Sequence, residues 1–228
     1  MIYLIRHGQT ALNKKRVLQG RSDQPLNDAG IHEAEEAGAW FREQGISFDE
    51  IWSSPLKRAV QTARIAAGPG LESGEQDLPG SGGADCAREA DRSAEHGDAC
   101  PEGPMIRTDE RLLEMDYGPY EGMDLHDPSP EIVKFFSDFV NNPAPEGMEP
   151  LDQVVKRLGE FMEELRAQAP KGNVLISTHA IAMKGALEYL TPDANGSYWS
   201  KHIRNCDVYA MEITPDGFSV PRPVPMAR

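Results

Sequence analysis

The stretch Ile2-Tyr3-Leu4-Ile5-Arg6-His7-Gly8 decides the fold, because four strand-forming apolar residues run directly into a cation, an imidazole and a glycine. An apolar run without polar alternation is typical of a strand that is buried on both faces of a sheet. A buried strand with such an ending leads either into a turn or into a functional site. The rest of the sequence favours the site.

Two further short apolar segments end in the same way. Residues 50–53 precede Ser54-Pro55 and a helical segment that carries Arg58. Residues 174–177 precede Thr178 and His179, after which another helical segment begins. A fourth strand is predicted over residues 208–213.

Apolar residues recur at helical spacing between and after these strands. Five helices are predicted. The first begins after a capping pair at residues 27–28, and the second begins near Pro55. The third covers 132–139, the fourth covers 151–165, and the fifth follows His179. Strands that alternate with helices predict an α/β fold, here a three-layer α/β/α sandwich with a mostly parallel central sheet. We expect residues 1–228 to form a single domain of this kind.

The segment 68–104 differs from the rest of the chain. It contains nine acidic residues and two arginines, and it has no Ile, Val, Phe, Tyr or Trp. Such a composition buries too little apolar surface to offset the entropy of ordering, so it predicts a solvated acidic insertion. The spacing of Cys86, His96 and Cys100 within it matches no standard zinc pattern, and no metal is predicted.

The charge and composition exclude several classes of function. The net charge of −14 disfavours binding to nucleic acid or to anionic membranes. No apolar run in the sequence is long enough to span a membrane, and we expect neither a membrane span nor a secretory signal peptide. Three cysteines in a chain of 228 residues do not form a disulfide framework. We therefore expect a cytoplasmic protein, and the sequence does not indicate its oligomeric state.

The polar strand ends predict a phosphate site. The carboxyl ends of parallel strands meet at one edge of a sheet, which would bring Arg6, His7, Arg58 and His179 together. Two guanidiniums and two imidazoles form a cationic pocket that suits a phosphate dianion. A neutral imidazole among cations is a capable nucleophile, so the cluster predicts phosphoryl transfer through a phosphohistidine. The arginines would stabilise the transferred group, so no metal or cofactor is expected.

Phosphoryl transfer to water also needs an acid that protonates the departing alkoxide. The candidates Asp109, Glu110, Glu114 and Asp116 lie close together in the sequence, and periodicity does not distinguish them. A carboxyl group kept protonated by apolar surroundings would suit the role, and Glu114 lies between two apolar residues.

The order of these residues resembles the histidine phosphatase superfamily, in the branch that contains cofactor-dependent phosphoglycerate mutases and their phosphatase relatives. The resemblance covers nearly the whole chain except the insertion. It rests on Arg6-His7-Gly8, Asn13, Gln19-Gly20, Asp23, Pro25-Leu26-Asn27, Gly30, Ser53-Ser54-Pro55, Arg58-Ala59, Gln61-Thr62-Ala63, Arg111-Leu112, Glu114, Tyr117-Gly118, Glu121-Gly122 and Ser177-Thr178-His179.

The resemblance implies a role for each matching residue. His7 would accept the phosphoryl group, and Glu114 falls at the position of the proton donor. Arg6, Arg58 and His179 would hold the transferred group. The remaining implied binding residues are Asn13 as a further donor, Gln19, Gly20, Tyr117 and Met123 on the substrate side, and Ala180, which stands where relatives often have glycine.

The catalytic residues do not separate a phosphatase from a mutase. Mutases of this branch usually carry a basic insertion in the region that corresponds to residues 123–150, where this chain is short and has Lys134 as its one basic residue. We therefore predict a phosphatase that hydrolyses a small phosphorylated metabolite, with phosphoglycerate mutase as the alternative. A non-catalytic phospholigand-binding protein is disfavoured because each expected catalytic residue is present.

Overall fold

The computed structural model describes residues 1–68 and 104–226. The predicted acidic insertion therefore lies almost wholly outside the described residues, together with its two cysteines and its histidine. The described strands are β1 (Ile2–Arg6), β2 (Glu50–Ser53), β3 (Ile106–Thr108), β4 (Val174–Thr178), β5 (Val208–Met211), β6 (Ile213–Thr214), β7 (Gly217–Phe218) and β8 (Arg222–Pro223). The described helices are α1 (Ala11–Lys14), α2 (Asp28–Glu43), α3 (Lys57–Ala67), α4 (Pro130–Ser137), α5 (Leu151–Ala167) and α6 (Ala180–Leu190).

Six of these strands form one sheet in the order β3-β2-β4-β1-β5-β8. The pairs β1 with β4, β2 with β4 and β2 with β3 are parallel. The strand β5 is antiparallel to β1 and to β8. The predicted α/β fold with a mostly parallel central sheet is therefore confirmed, and the carboxyl ends of its parallel strands share one edge.

The first strand lies in the middle of this sheet. Residues 2–5 are all buried, and each pairs with β4 on one side and with β5 on the other. The strand continues one residue beyond the predicted end, because Arg6 N donates to the carbonyl of Asp207 and Arg6 pairs with Thr178. The polar residues after Ile5 therefore begin at the edge where β4 also ends.

Helices cover both faces of the sheet, which gives the predicted three layers. On one face, Phe41 of α2 and Ala63 of α3 pack in one apolar cluster with Ile5. On the other face, Leu158 of α5 and Met183 of α6 pack with Leu4 and its neighbours. No helix in the two described ranges is long and apolar enough to cross a membrane.

Several boundaries differ from the predictions. The predicted strand over residues 208–213 is divided into β5 and β6, and β6 pairs with β7 in a separate hairpin. The strand β3 was not predicted, because this three-residue edge strand has one apolar residue and no periodic pattern. The helix predicted over 132–139 ends at Ser137, although the ring of Phe139 still packs on Phe135 at 4.8 Å between centroids.

The loop after β1 packs tightly against the start of α2. A Cβ atom added to Gly8 would lie 2.4 Å from the carbonyl oxygen of Gly30, and one added to Gly30 would lie 2.1 Å from the carbonyl oxygen of Gln9. Asn27 caps α2, as predicted, by accepting a hydrogen bond from Gly30 N at 2.8 Å. The backbone that follows His7 is therefore positioned by contacts that leave no room for a side chain at Gly8 or Gly30.

We expect Gly30→Ala to lower the free energy of unfolding by about 1–3 kcal/mol, the usual effect of overpacking, because backbone atoms must move to admit the new methyl group. Urea denaturation measures this change. Ala29→Ser is the matched control, since Ala29 is exposed in the same helical turn, and it should change the stability by less than about 0.5 kcal/mol. A Gly30→Ala variant as stable as the wild type would contradict the tight packing described here.

Candidate active site

His7 follows β1 directly, and its side chain is buried. Its Nδ1 lies 2.7 Å from the carbonyl oxygen of Gly8. Because a carbonyl oxygen only accepts, Nδ1 carries the proton and Nε2 keeps its lone pair. Burial, followed by the charges of Arg6 and Arg58, holds the pKa of His7 well below its ordinary value. The imidazole is therefore neutral at physiological pH, and Nε2 is available as a nucleophile.

The backbone around His7 is hydrogen-bonded on both sides. His7 N donates to the carbonyl of Thr178 at 2.9 Å, and the carbonyl of His7 accepts from Nδ2 of Asn205 at 2.9 Å. Gly8 N donates to Oγ1 of Thr62 at 3.0 Å. These bonds orient the Gly8 carbonyl, and that carbonyl sets the tautomer of His7.

Arg58, near the start of α3, has a fully buried side chain whose three nitrogens each donate a hydrogen bond. Nε donates to Nδ1 of His179 at 3.2 Å, Nη1 donates to the carbonyl of Ser22 at 2.6 Å, and Nη2 donates to the carbonyl of Gly20 at 2.7 Å. Burial lowers the pKa of this guanidinium, yet arginine keeps its charge in proteins. A positive charge is thus fixed beside the two histidines.

His179 lies at the end of β4, immediately before α6, and its ring centroid is 5.1 Å from that of His7. Its Nδ1 accepts from Arg58, so its proton resides on Nε2, which donates to Oγ of Ser54 at 2.7 Å. Burial and then the charge of Arg58 hold the pKa of His179 well below its ordinary value. The two neutral histidines therefore have opposite tautomers: His7 offers a lone pair at Nε2 and His179 offers an N–H.

Glu114 is buried and caps α6 from a distant part of the chain. Its Oε1 accepts from Met115 N at 3.0 Å, Ile181 N at 3.1 Å and Ala182 N at 2.9 Å. Its Oε2 accepts from Ile181 N alone, at 3.2 Å. Because the free N–H groups of a helix start attract negative charge, α6 fixes this carboxyl group near His179. Oε2 accepts fewer hydrogen bonds than Oε1.

The other carboxyl groups of this segment have different environments. Asp109 forms an ion pair with Arg111 at 2.6 Å. This pair lies outside the histidine cluster. Glu110 and Asp116 are exposed to solvent. The structure thus distinguishes Glu114 from its neighbours by burial and by hydrogen bonds from α6. In the described part of the chain, no three His, Cys, Asp or Glu side chains are grouped so that they could hold a metal ion.

Two buried donors near His7 lack a partner among the described residues. Arg6 donates from Nη1 to the carbonyl of Ile203 at 2.6 Å, while its Nε is unpaired. Gln19 accepts from Oγ1 of Thr10 at 2.7 Å, while its Nε2 is unpaired. A buried donor without an acceptor costs about 1–3 kcal/mol. The oxygen atoms of a bound anion would satisfy such donors.

The remaining predicted binding residues contribute mainly through backbone and packing. Gly20 N donates to both carboxylate oxygens of Glu121, and a Cβ atom on Gly20 would lie 2.6 Å from the carbonyl oxygen of Met115. Tyr117 is buried, and burial raises the pKa of its hydroxyl well above the ordinary value. Ala180 is the first residue of α6 and offers no polar side chain. The carbonyl of Met123 accepts from Leu18 N.

A cavity of about 430 Å³ opens beside Arg6. Asn13, whose Oδ1 accepts from Thr10 N at 3.2 Å, lines this cavity. Its other lining residues include Arg16, His202 and Arg204, and Glu33 is also present. This cationic lining could not be predicted from the sequence, because its residues come from distant parts of the chain.

Three further residues of the site were not assigned a role from the sequence. Ser54 and Thr62 belong to segments that resemble the family, so a signal was present, but only the structure shows that they bond His179 and the Gly8 peptide. Asn205 follows an irregular segment and carries no sequence signal. Its contact with His7 joins residues that are 198 positions apart.

The structure gathers an imidazole with an available lone pair, two arginines and a carboxyl group at the carboxyl edge of a mostly parallel α/β sheet. Residues 2–77 and 90–223 match the family model of the histidine phosphatase superfamily (branch 1), and the chain belongs to this superfamily. The family predicted from the sequence is therefore confirmed. Membership supports a phosphatase or another phosphoryl-transfer enzyme.

Proteins similar to this chain are named either as mutases or as phosphatases. A protein named probable phosphoglycerate mutase GpmB from Yersinia pestis (strain Pestoides F) is 28% identical over 211 residues, which cover 91% of this chain and 82% of that relative. The structure of Bacillus stearothermophilus YhfR has a TM-score of 0.71 and 24% identity, covering 96% of this chain and 94% of its own. The phosphoserine phosphatase of Entamoeba histolytica in complex with 3-phosphoglyceric acid has a TM-score of 0.69 and 21% identity, covering 100% and 96%. These structures share the fold.

The two neutral histidines should make the protein sensitive to acid. An unfolded histidine has a pKa of about 6.5, and the folded pKa of both His7 and His179 is lower. The unfolded state therefore binds more protons below about pH 6.5, so stability is complete above that pH and is lost as the pH falls.

We expect His7→Gln to reduce the slope of stability against pH, between pH 6.5 and 5, by up to about 1.4 kcal/mol per pH unit. Urea unfolding at several pH values measures the slope. His32→Gln is the control, because the His32 side chain is 71% exposed, and it should leave the slope unchanged. An equal slope for His7→Gln and the wild type would contradict a neutral buried His7.

Proposed function

We propose that this protein is a metal-independent phosphatase that hydrolyses a small phosphomonoester through a phosphohistidine at His7. The observation that carries the proposal is the hydrogen bond from Nδ1 of His7 to the carbonyl of Gly8. Because Nδ1 carries the proton in this bond, Nε2 is the ring nitrogen whose lone pair can attack phosphorus. A low pKa keeps that nitrogen unprotonated among cations that would bind a phosphate dianion.

The proposed reaction has two steps. In the first, Nε2 of His7 attacks phosphorus and forms an N–P bond while the P–O bond to the alcohol breaks. Glu114 gives the proton on Oε2 to the departing alkoxide, which leaves as the alcohol. In the second step a water molecule attacks phosphorus, Glu114 takes its proton, and the N–P bond breaks to release inorganic phosphate.

The charged groups around His7 would stabilise the transferred phosphoryl group. Arg6 and Arg58 supply fixed positive charge, and the N–H of His179 would exchange its present acceptor, Oγ of Ser54, for a phosphoryl oxygen. The unpaired Nε of Arg6 and Nε2 of Gln19 would each gain an acceptor from the phosphoryl oxygens. Since these donors are already positioned, little reorganisation is needed at the moment of transfer.

A phosphoglycerate mutase is the second candidate. The cationic cavity beside Arg6, lined also by Arg16 and Arg204, favours a substrate with a second negative group. The relative from Yersinia pestis also carries the name of a probable mutase. We place the phosphatase first because the segment 123–150 is short and has a single basic residue.

We expect wild-type protein to release phosphate from p-nitrophenyl phosphate or 3-phosphoglycerate at the same rate with and without EDTA. His7→Ala should lower this rate by about 10³-fold or more, because the nucleophile is lost. His126→Ala is the control, since His126 is exposed. Conversion of 3-phosphoglycerate to 2-phosphoglycerate without release of phosphate would favour the mutase, and loss of activity with EDTA would contradict metal independence.

We expect Glu114→Gln to separate substrates by their leaving groups. Gln retains an oxygen that accepts from α6 but has no proton to donate to an alkoxide. Hydrolysis of 3-phosphoglycerate should therefore fall by about 10²–10⁴-fold, while p-nitrophenyl phosphate, whose phenolate leaves without a proton, should be affected much less. Steady-state kinetics measure both losses, with the exposed Glu110→Gln as control. Equal losses for both substrates would argue against an acid role.

A further inference from the structure

A second cavity, of about 680 Å³, lies between the end of α4 and α6. Aromatic rings of Phe136, Phe139 and Trp199 line it. Two of its other lining residues connect it to the active site. Ile181 donates its N–H to Glu114, and His202 also lines the cavity beside Arg6. The cavity therefore adjoins the active site through Ile181 and His202.

Lys184 of α6 contributes the wall of this cavity, and it is a buried cation without an acidic partner. It is 9% exposed, its Nζ donates to the carbonyl of Trp199 at 2.7 Å, and Nζ lies 5.1 Å from the ring centroid of Phe139. An ammonium has three N–H donors, and the described residues accept one of them. A buried charge that is only partly compensated is costly unless a counter-ion binds beside it.

The other charged groups around Lys184 do not neutralise it. Asp138 lines the same cavity, but its carboxylate accepts from Val140 N and from the side chain of Asn141 within its own turn. The remaining charged or titratable groups that line the cavity are Lys201 and His202, which are exposed at its rim. Glu114 and Arg6, at the catalytic centre, have opposite effects on the ammonium.

We propose that this cavity binds the alcohol part of the substrate, and that this alcohol is a flat apolar ring bearing a carboxylate that pairs with Lys184. The inference rests on the proposed function, because it places the leaving group beside His7 and Glu114. The volume lies within the range of small-molecule sites, and its aromatic walls favour a ring. The carboxylate would supply the counter-ion that the described residues around Lys184 lack.

The test compares phenyl phosphate with 3- and 4-carboxyphenyl phosphate as substrates. Wild type should prefer at least one carboxylated ester by about tenfold in kcat/KM, the effect of a buried charge-assisted hydrogen bond. Lys184→Met should remove this preference, so that the three esters have kcat/KM values within about twofold of one another. Lys156→Met is the control, because it removes the same charge from an exposed position on α5, and it should retain the preference.

The preference should also depend on pH. Burial lowers the pKa of Lys184 to about 8, so the ammonium is charged below that pH and neutral above it. The ratio of kcat/KM for the carboxylated ester to that for phenyl phosphate should therefore fall between pH 7 and 9.5 in the wild type, and stay constant in Lys184→Met. Groups that serve both substrates cancel from this ratio.

Two results would overturn the inference: no preference for either carboxylated ester in the wild type, or equal losses for all three substrates in Lys184→Met. If the wild type hydrolyses none of them, the proposed function fails, and calorimetric titration of the same compounds decides the inference alone. Tighter binding of a carboxylated ester that Lys184→Met abolishes would support the cavity as a binding site. Equal binding of all three compounds would reject it.

Discussion

The site depends on one buried charge, the guanidinium of Arg58. Its three nitrogens reach the loop after α1 and the histidine that precedes α6, so a single side chain joins segments that are far apart in the sequence. Two of its three partners are backbone carbonyls, and the described residues give it no ion pair. Its position is therefore fixed by dipoles while its charge is left for an anion. A carboxylate in place of these backbone carbonyls would hold the Arg58 side chain equally well, but it would neutralise the charge of the guanidinium.

This arrangement explains how two histidines that are neutral for the same reasons can have opposite tautomers. A carbonyl oxygen takes the proton side of His7, whereas a guanidinium donates to His179 and places the proton on its other nitrogen. Burial, and then the nearby cations, disfavour protonation of both rings. In the proposed mechanism the same cations would also attract the group that His7 attacks. The position of Glu114 does not depend on these cations, because its carboxyl group is hydrogen-bonded to the start of α6.

The sequence was sufficient for the parts of the molecule that follow local rules. Buried strands are visible as apolar runs, and their polar endings identified Arg6, His7 and His179 because parallel strands end at one edge. The choice of Glu114 came from the family resemblance, since its distinguishing contacts with α6 join residues 67 and 68 positions apart. Asn205, Lys184 and the cationic cavity depend on tertiary placement alone. For the same reason β3 was missed, because its pairing with β2 has no local pattern.

The central position of β1 also has a consequence for synthesis of the chain. The first strand is made first, yet both of its neighbours, β4 and β5, come from the last third of the sequence. Arg6 forms hydrogen bonds with the backbone of residues 203, 206 and 207. The carbonyl of His7 accepts its hydrogen bond from Asn205, which is also made late. During translation β1 therefore has two open edges until β4 and β5 have both left the ribosome. Chaperone protection of this strand would matter more for this topology than for one that pairs its strands in order.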